Sequence, residues 1–293
     1  MWALKHFKKS PPPSPEYDKP WRPMDWKTNR QTFMATINDF ESGNKDIDTL
    51  RVLLHGPQGA GKSSFFNSVN TALEGRITTR ALAQSAFTGR SFTLECNTYK
   101  IKKKAGSFYP FSFTDIAGIH DDSSTSIRTE DIRKLLSGHI KDGYTFNSAK
   151  TIDEDDQKYN RNPALKDRIH CLVGVLPAST VSLMDGEVIK QMKAVREKAR
   201  DLGIPQTVII TKVDEACPLV HEDLKKIYTS KKIKEKMEAC SYTLGVPISC
   251  IYPVKNYHRE RATDATMDVL ILDALQNIVN FASDYVEDQV SSG

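Results

Sequence analysis

The stretch Arg51-Val-Leu-Leu-His-Gly-Pro-Gln-Gly-Ala-Gly-Lys-Ser63 constrains this chain more than any other part of it. An apolar run leads into Gly56, four residues follow, and Gly61-Lys62-Ser63 then opens a helical pattern. That is the G-x-x-x-x-G-K-[ST] phosphate loop with a strand before it and a helix after it, the context it needs. Gly56, Gly59 and Gly61 allow successive backbone N–H groups to turn inward around a phosphate, and Gln58, Ala60 and Ser64 belong to the same cradle. The helix N-terminus adds partial positive charge at that point. Lys62 can reach the β- and γ-phosphates, which makes it a candidate catalytic as well as binding residue, and the Ser63 hydroxyl can ligate Mg²⁺. The expectation is a nucleoside phosphate bound with Mg²⁺.

The rest of the chain agrees with such a loop. Runs at 50–55, 170–176, 207–211 and 248–253 read as strands, those at 170–176 and 207–211 continuously apolar and so covered on both faces. Residues 92–101 and 108–115 flank a Lys-Lys-Lys-Ala-Gly tip and read as an antiparallel hairpin, its lysines solvated. Helical periodicity marks 62–74, 185–202 and 264–285, and a further helix at 29–40 ends before Gly43. Strands alternating with helices predict an α/β phosphate-loop fold of GTPase-like type, a mostly parallel sheet with one antiparallel hairpin and helices on both faces. The polar segment 145–168 is expected to be an insertion or a mobile loop. Prolines through 8–23 exclude a helix or interior strand there. The expected division is therefore a flexible extension over 1–26, a packing helix within 27–45 and the nucleotide-binding domain over 46–288.

Three further motifs fall where ligands of such sheets sit, at the carboxyl ends of strands. Asp115-Ile-Ala-Gly118 follows an apolar strand, so Asp115 is expected to hold Mg²⁺ and the Gly118 N–H to meet a γ-phosphate. Thr211-Lys-Val-Asp214 follows the next-but-one strand. Its carboxylate can accept both N–H donors on the guanine edge, a pair that adenine lacks, which selects GTP or GDP. The Lys212 stem can lie along the base plane; Asn is commoner than Thr at position 211. Lys255 and Asn256 are candidates for a last base-contacting loop. The threonine completing the Mg²⁺ shell is assigned to Thr88, with Thr78 and Thr79 as rivals. In many GTPases a Gln follows D-x-x-G; here Ile119 does, which cannot orient water, so His120 is the candidate for that task.

A formal net charge of +4 argues for neither nucleic acid nor a membrane surface, and no run of about 18 apolar residues exists to span a bilayer. The N-terminus lacks the apolar core of a secretory signal. Five scattered cysteines, with no C-x-x-C pair, fit reduced thiols in the cytoplasm.

Together, Gly-Pro-Gln-Gly-Ala-Gly-Lys-Ser-Ser-Phe-Phe-Asn-Ser-Val-Asn, Phe-Thr-Asp-Ile-Ala-Gly, Ile-Ile-Thr-Lys-Val-Asp and Pro-Val-Lys-Asn-Tyr resemble the interferon-induced protein 44 and 44-like family. So does the lead-in Trp-Arg-Pro-Met-Asp-Trp. The resemblance covers roughly residues 20–285. It implies an interferon-induced, cytoplasmic guanine-nucleotide-binding protein of the antiviral immune response, with a slow or partner-dependent GTPase activity left open. The alternatives are a nucleotide-stabilised scaffold and an ATP-dependent enzyme. A homodimer, or protein partners that read the switch segments, are in keeping with such a site, and microtubular association comes by family analogy alone. Longer members carry a TLDc-type domain upstream; about fifty residues precede Gly56 here, too few for it, so activity depending on that domain is not expected.

Overall fold

The computed structural model describes residues 14–79, 95–103, 106–119, 127–181 and 186–291. Six strands form one sheet: β1 (Leu50–His55), β2 (Asn97–Lys102), β3 (Phe108–Asp115), β4 (Cys171–Pro177), β5 (Gln206–Thr211) and β6 (Ile251–Pro253). Their order is β2-β3-β1-β4-β5-β6, all parallel except the β2–β3 pair. The described helices are α1 (Asn29–Asn38), α2 (Lys62–Glu74), α3 (Thr129–Leu136), α4 (Gly186–Asp201), α5 (Val213–Ala216), α6 (Pro218–Glu222), α7 (Lys231–Leu244) and α8 (Ala265–Ser291).

After β1 the chain moves through α2 toward β3, on one side, whereas β4–α4–β5 and β5–α7–β6 step the other way. Right-handed crossovers running in opposite directions put their helices on opposite faces. Accordingly α2 and α1 pack with α8, and α4 packs with α3 and α7. The same reversal opens a crevice at the carboxyl ends of β1 and its neighbours. Register brings the motifs together there: Leu54 pairs with Asp115, His55 with Gly174 and Pro177 with Thr211.

The core lies on both sides of the sheet. Phe65 and Phe66 of α2 meet Phe113 of β3 edge-on, at 6.3 and 6.0 Å between ring centres. The apolar stripe of α8 (Met267, Leu270, Ile271, Ala274, Leu275, Ile278, Val279, Ala282) is buried, as its periodicity predicts. Asp264 starts that helix by accepting from the N–H groups of Thr266 and Met267, both at 2.9 Å.

Several expectations are corrected. The lead-in is not loose through residue 26. Glu16 bridges to Ser230 and pairs with Lys226, and Trp21 N–H donates to Tyr228. Arg22 donates to the carbonyls of Ile248 and Ile251 while lying against the rings of Trp21, Tyr228 and Tyr252. Proline forbids a helix but leaves aromatic and arginine side chains free to dock, which composition does not show. Segment 145–168 is seated rather than mobile: Phe146 and Ile152 are buried, and Ile152 N–H donates to Asp131. The run 248–253 is strand only from Ile251, because Ile248–Cys250 after Pro247 forms a 3₁₀ turn. Lys103 is not simply solvated; it donates to the Asn38 carbonyl and sits over Tyr109. Helix α7 was not anticipated, although Ile233, Met237, Cys240 and Leu244 carry its period and Ser230 caps it. Helix α3 was missed as well; its eight residues offer too short a pattern. The hairpin begins, among the described residues, at Asn97.

Candidate functional site

The phosphate loop closes over the end of β1 in a conformation that only particular residues permit. Gly59 and Gly61 have φ of +74° and +92°, and a Cβ on Gly61 would lie 2.9 Å from Asn256 Nδ2. A Cβ on Gly56 would lie 2.1 Å from the Val175 carbonyl oxygen, so the loop can pass over β4 only as glycine. Lys62, the first residue of α2, folds back over the loop. Its ammonium donates to the carbonyls of Gly56 at 3.1 Å and Pro57 at 3.3 Å, and it is 7% exposed. Burial lowers its pKa, and the Asp115 carboxylate opposes that shift.

Asp115 faces Ser63, whose hydroxyl donates to Oδ2 at 2.6 Å. Burial raises the Asp115 pKa, against Lys62 and the Ser63 hydrogen bond. Its other oxygen, Oδ1, is buried and has no partner among the described residues. A hydroxyl and a carboxylate with one orphaned oxygen are hard-oxygen donors, and these two residues fit Mg²⁺.

The end of D-x-x-G lies against the loop. Ile119 accepts from Gln58 N–H and donates to the Gly56 carbonyl, both at 3.0 Å. A Cβ on Gly118 would come within 2.5 Å of Gln58 N, so only glycine allows this approach. The Ile119 side chain turns into the core. Beside it, His55 is 3% exposed with both ring nitrogens unpartnered among the described residues. Burial first, and Lys62 second, push His55 down to about 3, so its ring is neutral.

At the other end, the cleft is built from two loops. Lys212 has φ +55°, the sole positive φ outside glycine among the described residues, and this kink turns the chain from β5 into α5. Asp214 then faces the loop after β6. Lys255 Nζ lies 3.1 Å from Glu260 Oε1 and 3.8 Å from Asp214 Oδ2. Burial opposes ionisation of Glu260, but the N–H groups of His258 and Arg259 at 2.8 and 3.0 Å, with Lys255, prevail and hold its carboxyl at about 2.

Two predicted residues bond to the phosphate loop itself, Thr211 from behind the cleft wall and Asn256 from the wall. Thr211 is fully buried and donates to the Ala60 carbonyl at 2.6 Å, so it props the phosphate loop from below. Asn256 Nδ2 donates to the Gly61 carbonyl at 3.2 Å, and its Oδ1 is a buried acceptor with no partner among the described residues. Thr78 is buried against Asn70 and Thr71, more than two turns along α2 from Lys62, and Thr79 is exposed. Thr88 and His120 lie outside the described residues. Gln58, Gly59, Gly61, Lys62, Ser63, Ser64, Asp115, Gly118, Lys212, Asp214, Lys255 and Asn256 line one cleft of about 710 Å³, of the size that small ligands fill. Glu215, His221 and the run from Tyr257 to Glu260 line it too and were missed. Those last four follow directly on Pro253-Val-Lys-Asn256, so extending that loop by four residues would have found them.

No family model matches the chain. Interferon-induced protein 44 of Homo sapiens is 34% identical over 260 residues, which is 88% of this chain and 58% of that protein. Interferon-induced protein 44-like of Homo sapiens is 32% identical over 89% of this chain and 58% of its own length, and interferon-induced protein 44 of Mus musculus 35% over 87% and 60%. The chain thus spans 58–60% of the length of these curated relatives. Among solved structures, Toc33 from Arabidopsis thaliana in complex with GDP and Mg²⁺ is 14% identical, with a TM-score of 0.48 over 88% of this chain and 92% of that one. Likeness at that level bears neither on the site nor on its ligand.

Proposed function

We propose, for a chain that belongs with the interferon-induced protein 44 and 44-like proteins through the segment it shares with them, that the cleft holds GTP or GDP with Mg²⁺ and that the protein serves the interferon-linked antiviral response. The observation that carries the nucleotide reading is a single cleft with a buried ammonium and a Ser63–Asp115 pair at one end and an open carboxylate, Asp214, at the other. Phosphates would take the Lys62 end, where loop N–H groups and the α2 N-terminus favour anions. The guanine edge would donate to Asp214. Mg²⁺, when bound, would neutralise phosphate charge, and Ser63 and Asp115 are the ligands this chain offers. A cytoplasmic setting agrees with five free cysteines, four of them buried. Among the described residues no helix is long and apolar enough to cross a membrane.

The test is the nucleotide content of the purified protein, followed by titration with GTP, GDP, ATP and ADP in Mg²⁺. Selective guanine-nucleotide binding is expected; ATP binding without GTP or GDP binding ends the reading.

A second reading rests on Ile119. Its buried side chain leaves the position after D-x-x-G without a polar group on the cleft, which favours a nucleotide-stabilised interaction module over a fast GTPase. Single-turnover hydrolysis that vanishes in Lys62→Ala would exclude the pure scaffold; binding without turnover would support it.

A further inference from the structure

The Asp214 end of the cleft contains more charge than a base needs. Asp214, Lys255 and Glu260 form a row in which one ammonium stands between two carboxylates. It stands unequally. Lys255 is 3.1 Å from Glu260, within hydrogen-bond range, and 3.8 Å from Asp214, outside it. Glu260 does not drift toward the ammonium, because its second oxygen is fixed by two backbone N–H groups. Asp214 accepts no hydrogen bond among the described residues, so toward them both its oxygens are open.

Two N–H donors on one base edge require two free acceptors. Were Lys255 to close on Asp214, one oxygen would be taken and the carboxylate neutralised. We propose that Glu260 is a specificity-determining positioning residue, which draws Lys255 away from Asp214 and keeps both Asp214 oxygens available to the guanine edge. This rests on the guanine-nucleotide reading above. Glu260 touches no ligand in this role; it acts through Lys255.

A loop-capping role alone would give Glu260 the same hydrogen bonds, so the test must separate charge from capping. Glu260→Gln keeps an acceptor for the His258 and Arg259 N–H groups and removes the charge that holds Lys255. With full-length protein and Mg²⁺, a fluorescent GDP analogue should bind Glu260→Gln about tenfold more weakly than wild type, with competition by ADP and the unfolding midpoint unchanged. Adding Lys255→Met should restore GDP affinity to within about threefold of wild type, because the competing cation is gone. Should Glu260→Gln prove unstable, Lys255→Met and Lys255→Met/Glu260→Gln are compared instead, and equal GDP affinities are expected. Wild-type affinity in Glu260→Gln, or a double variant as weak as the single one, overturns the proposal and leaves guanine binding intact. Wild-type protein that binds no guanine nucleotide removes both.

Discussion

The two ends of the cleft are made differently. At the phosphate end the working groups come from one short segment, Gly56–Ser63, plus Asp115 on the neighbouring strand, and Lys62 and Asp115 are 7% and 5% exposed. At the base end they come from the short helix α5 and the loop after β6, far apart in the chain, with the side chains of Asp214, Lys255 and Glu260 21%, 31% and 24% exposed. Burial decides what each end can do. Charge at the first end acts in a low-dielectric surround and is little screened by salt, whereas the ion pairs at the second act across partly solvated space. The first end should therefore supply most of the affinity and the second most of the choice between bases.

Lys62→Ala should have the largest effect. Losing charge-assisted contacts to phosphate costs on the order of 3–4 kcal/mol, or roughly a few hundredfold in the dissociation constant. The fold should survive, since a buried ammonium bonded to two carbonyls is itself costly to desolvate. Titration with a fluorescent GDP analogue beside a thermal melt checks both halves. Affinity within tenfold of wild type would move the phosphates elsewhere.

Asp214→Asn tests the other end with a somewhat smaller effect. A carboxamide facing two N–H donors leaves one unpaired, so GDP should weaken by about a hundredfold. Xanthosine diphosphate, which presents a carbonyl where guanine has its amino group, should gain. If GDP and xanthosine diphosphate respond alike, Asp214 does not read the base, and the division of labour between the two ends fails.

How much of this could be read from sequence follows the same division. The end proposed for phosphate was legible because backbone and glycine geometry force a fixed spacing, and Gly56, Gly61-Lys62-Ser63 and Asp115 do come together beyond β1 and β3. The mostly parallel sheet with one antiparallel pair followed from the alternation of strands and helices. At the base end Asp214 was legible but Glu260 was not, because a carboxylate that acts through a neighbouring lysine has no spacing rule. Thr211 and Asn256 were picked as ligand contacts, yet the bonds they make go to the carbonyls of Ala60 and Gly61, a tertiary relation that spans over a hundred residues. The docking of Trp21 and Arg22 stayed hidden for a related reason: isolated aromatic and basic side chains carry no period.

His55 sharpens the comparison on the stability side. Its folded pKa of about 3 lies below the ordinary value of 6.5, so the unfolded chain takes up the proton first. Stability from this residue is complete above about pH 6.5 and falls as the pH drops toward 3. Between pH 7 and pH 5 the loss is about 2 kcal/mol, and His55→Leu should remove that part of the slope in urea titrations at the two pH values. Glu260 acts with the same sign over a lower window, its contribution persisting until the pH falls below about 4.5 toward 2. A variant slope equal to that of wild type would mean that His55 is reached by water or paired in solution.

Thr211 belongs by sequence to the base-end motif, while its one short hydrogen bond supports the phosphate end. Thr211→Val keeps the shape and removes the donor, which leaves the buried Ala60 carbonyl unpaired at a cost of about 1 kcal/mol. In a chain of this size the melting point should fall by about 3 °C. Thr211→Ser, which keeps the hydroxyl, should recover most of that. The nucleotide readout then assigns the residue to one end. A prop under the loop should weaken GDP and ADP together by about threefold, leaving their ratio unchanged. A base contact would instead change the ratio and spare the melting point. The first pattern is the expected one, because the Thr211 side chain is fully buried beneath Ala60 and has no surface on the cleft.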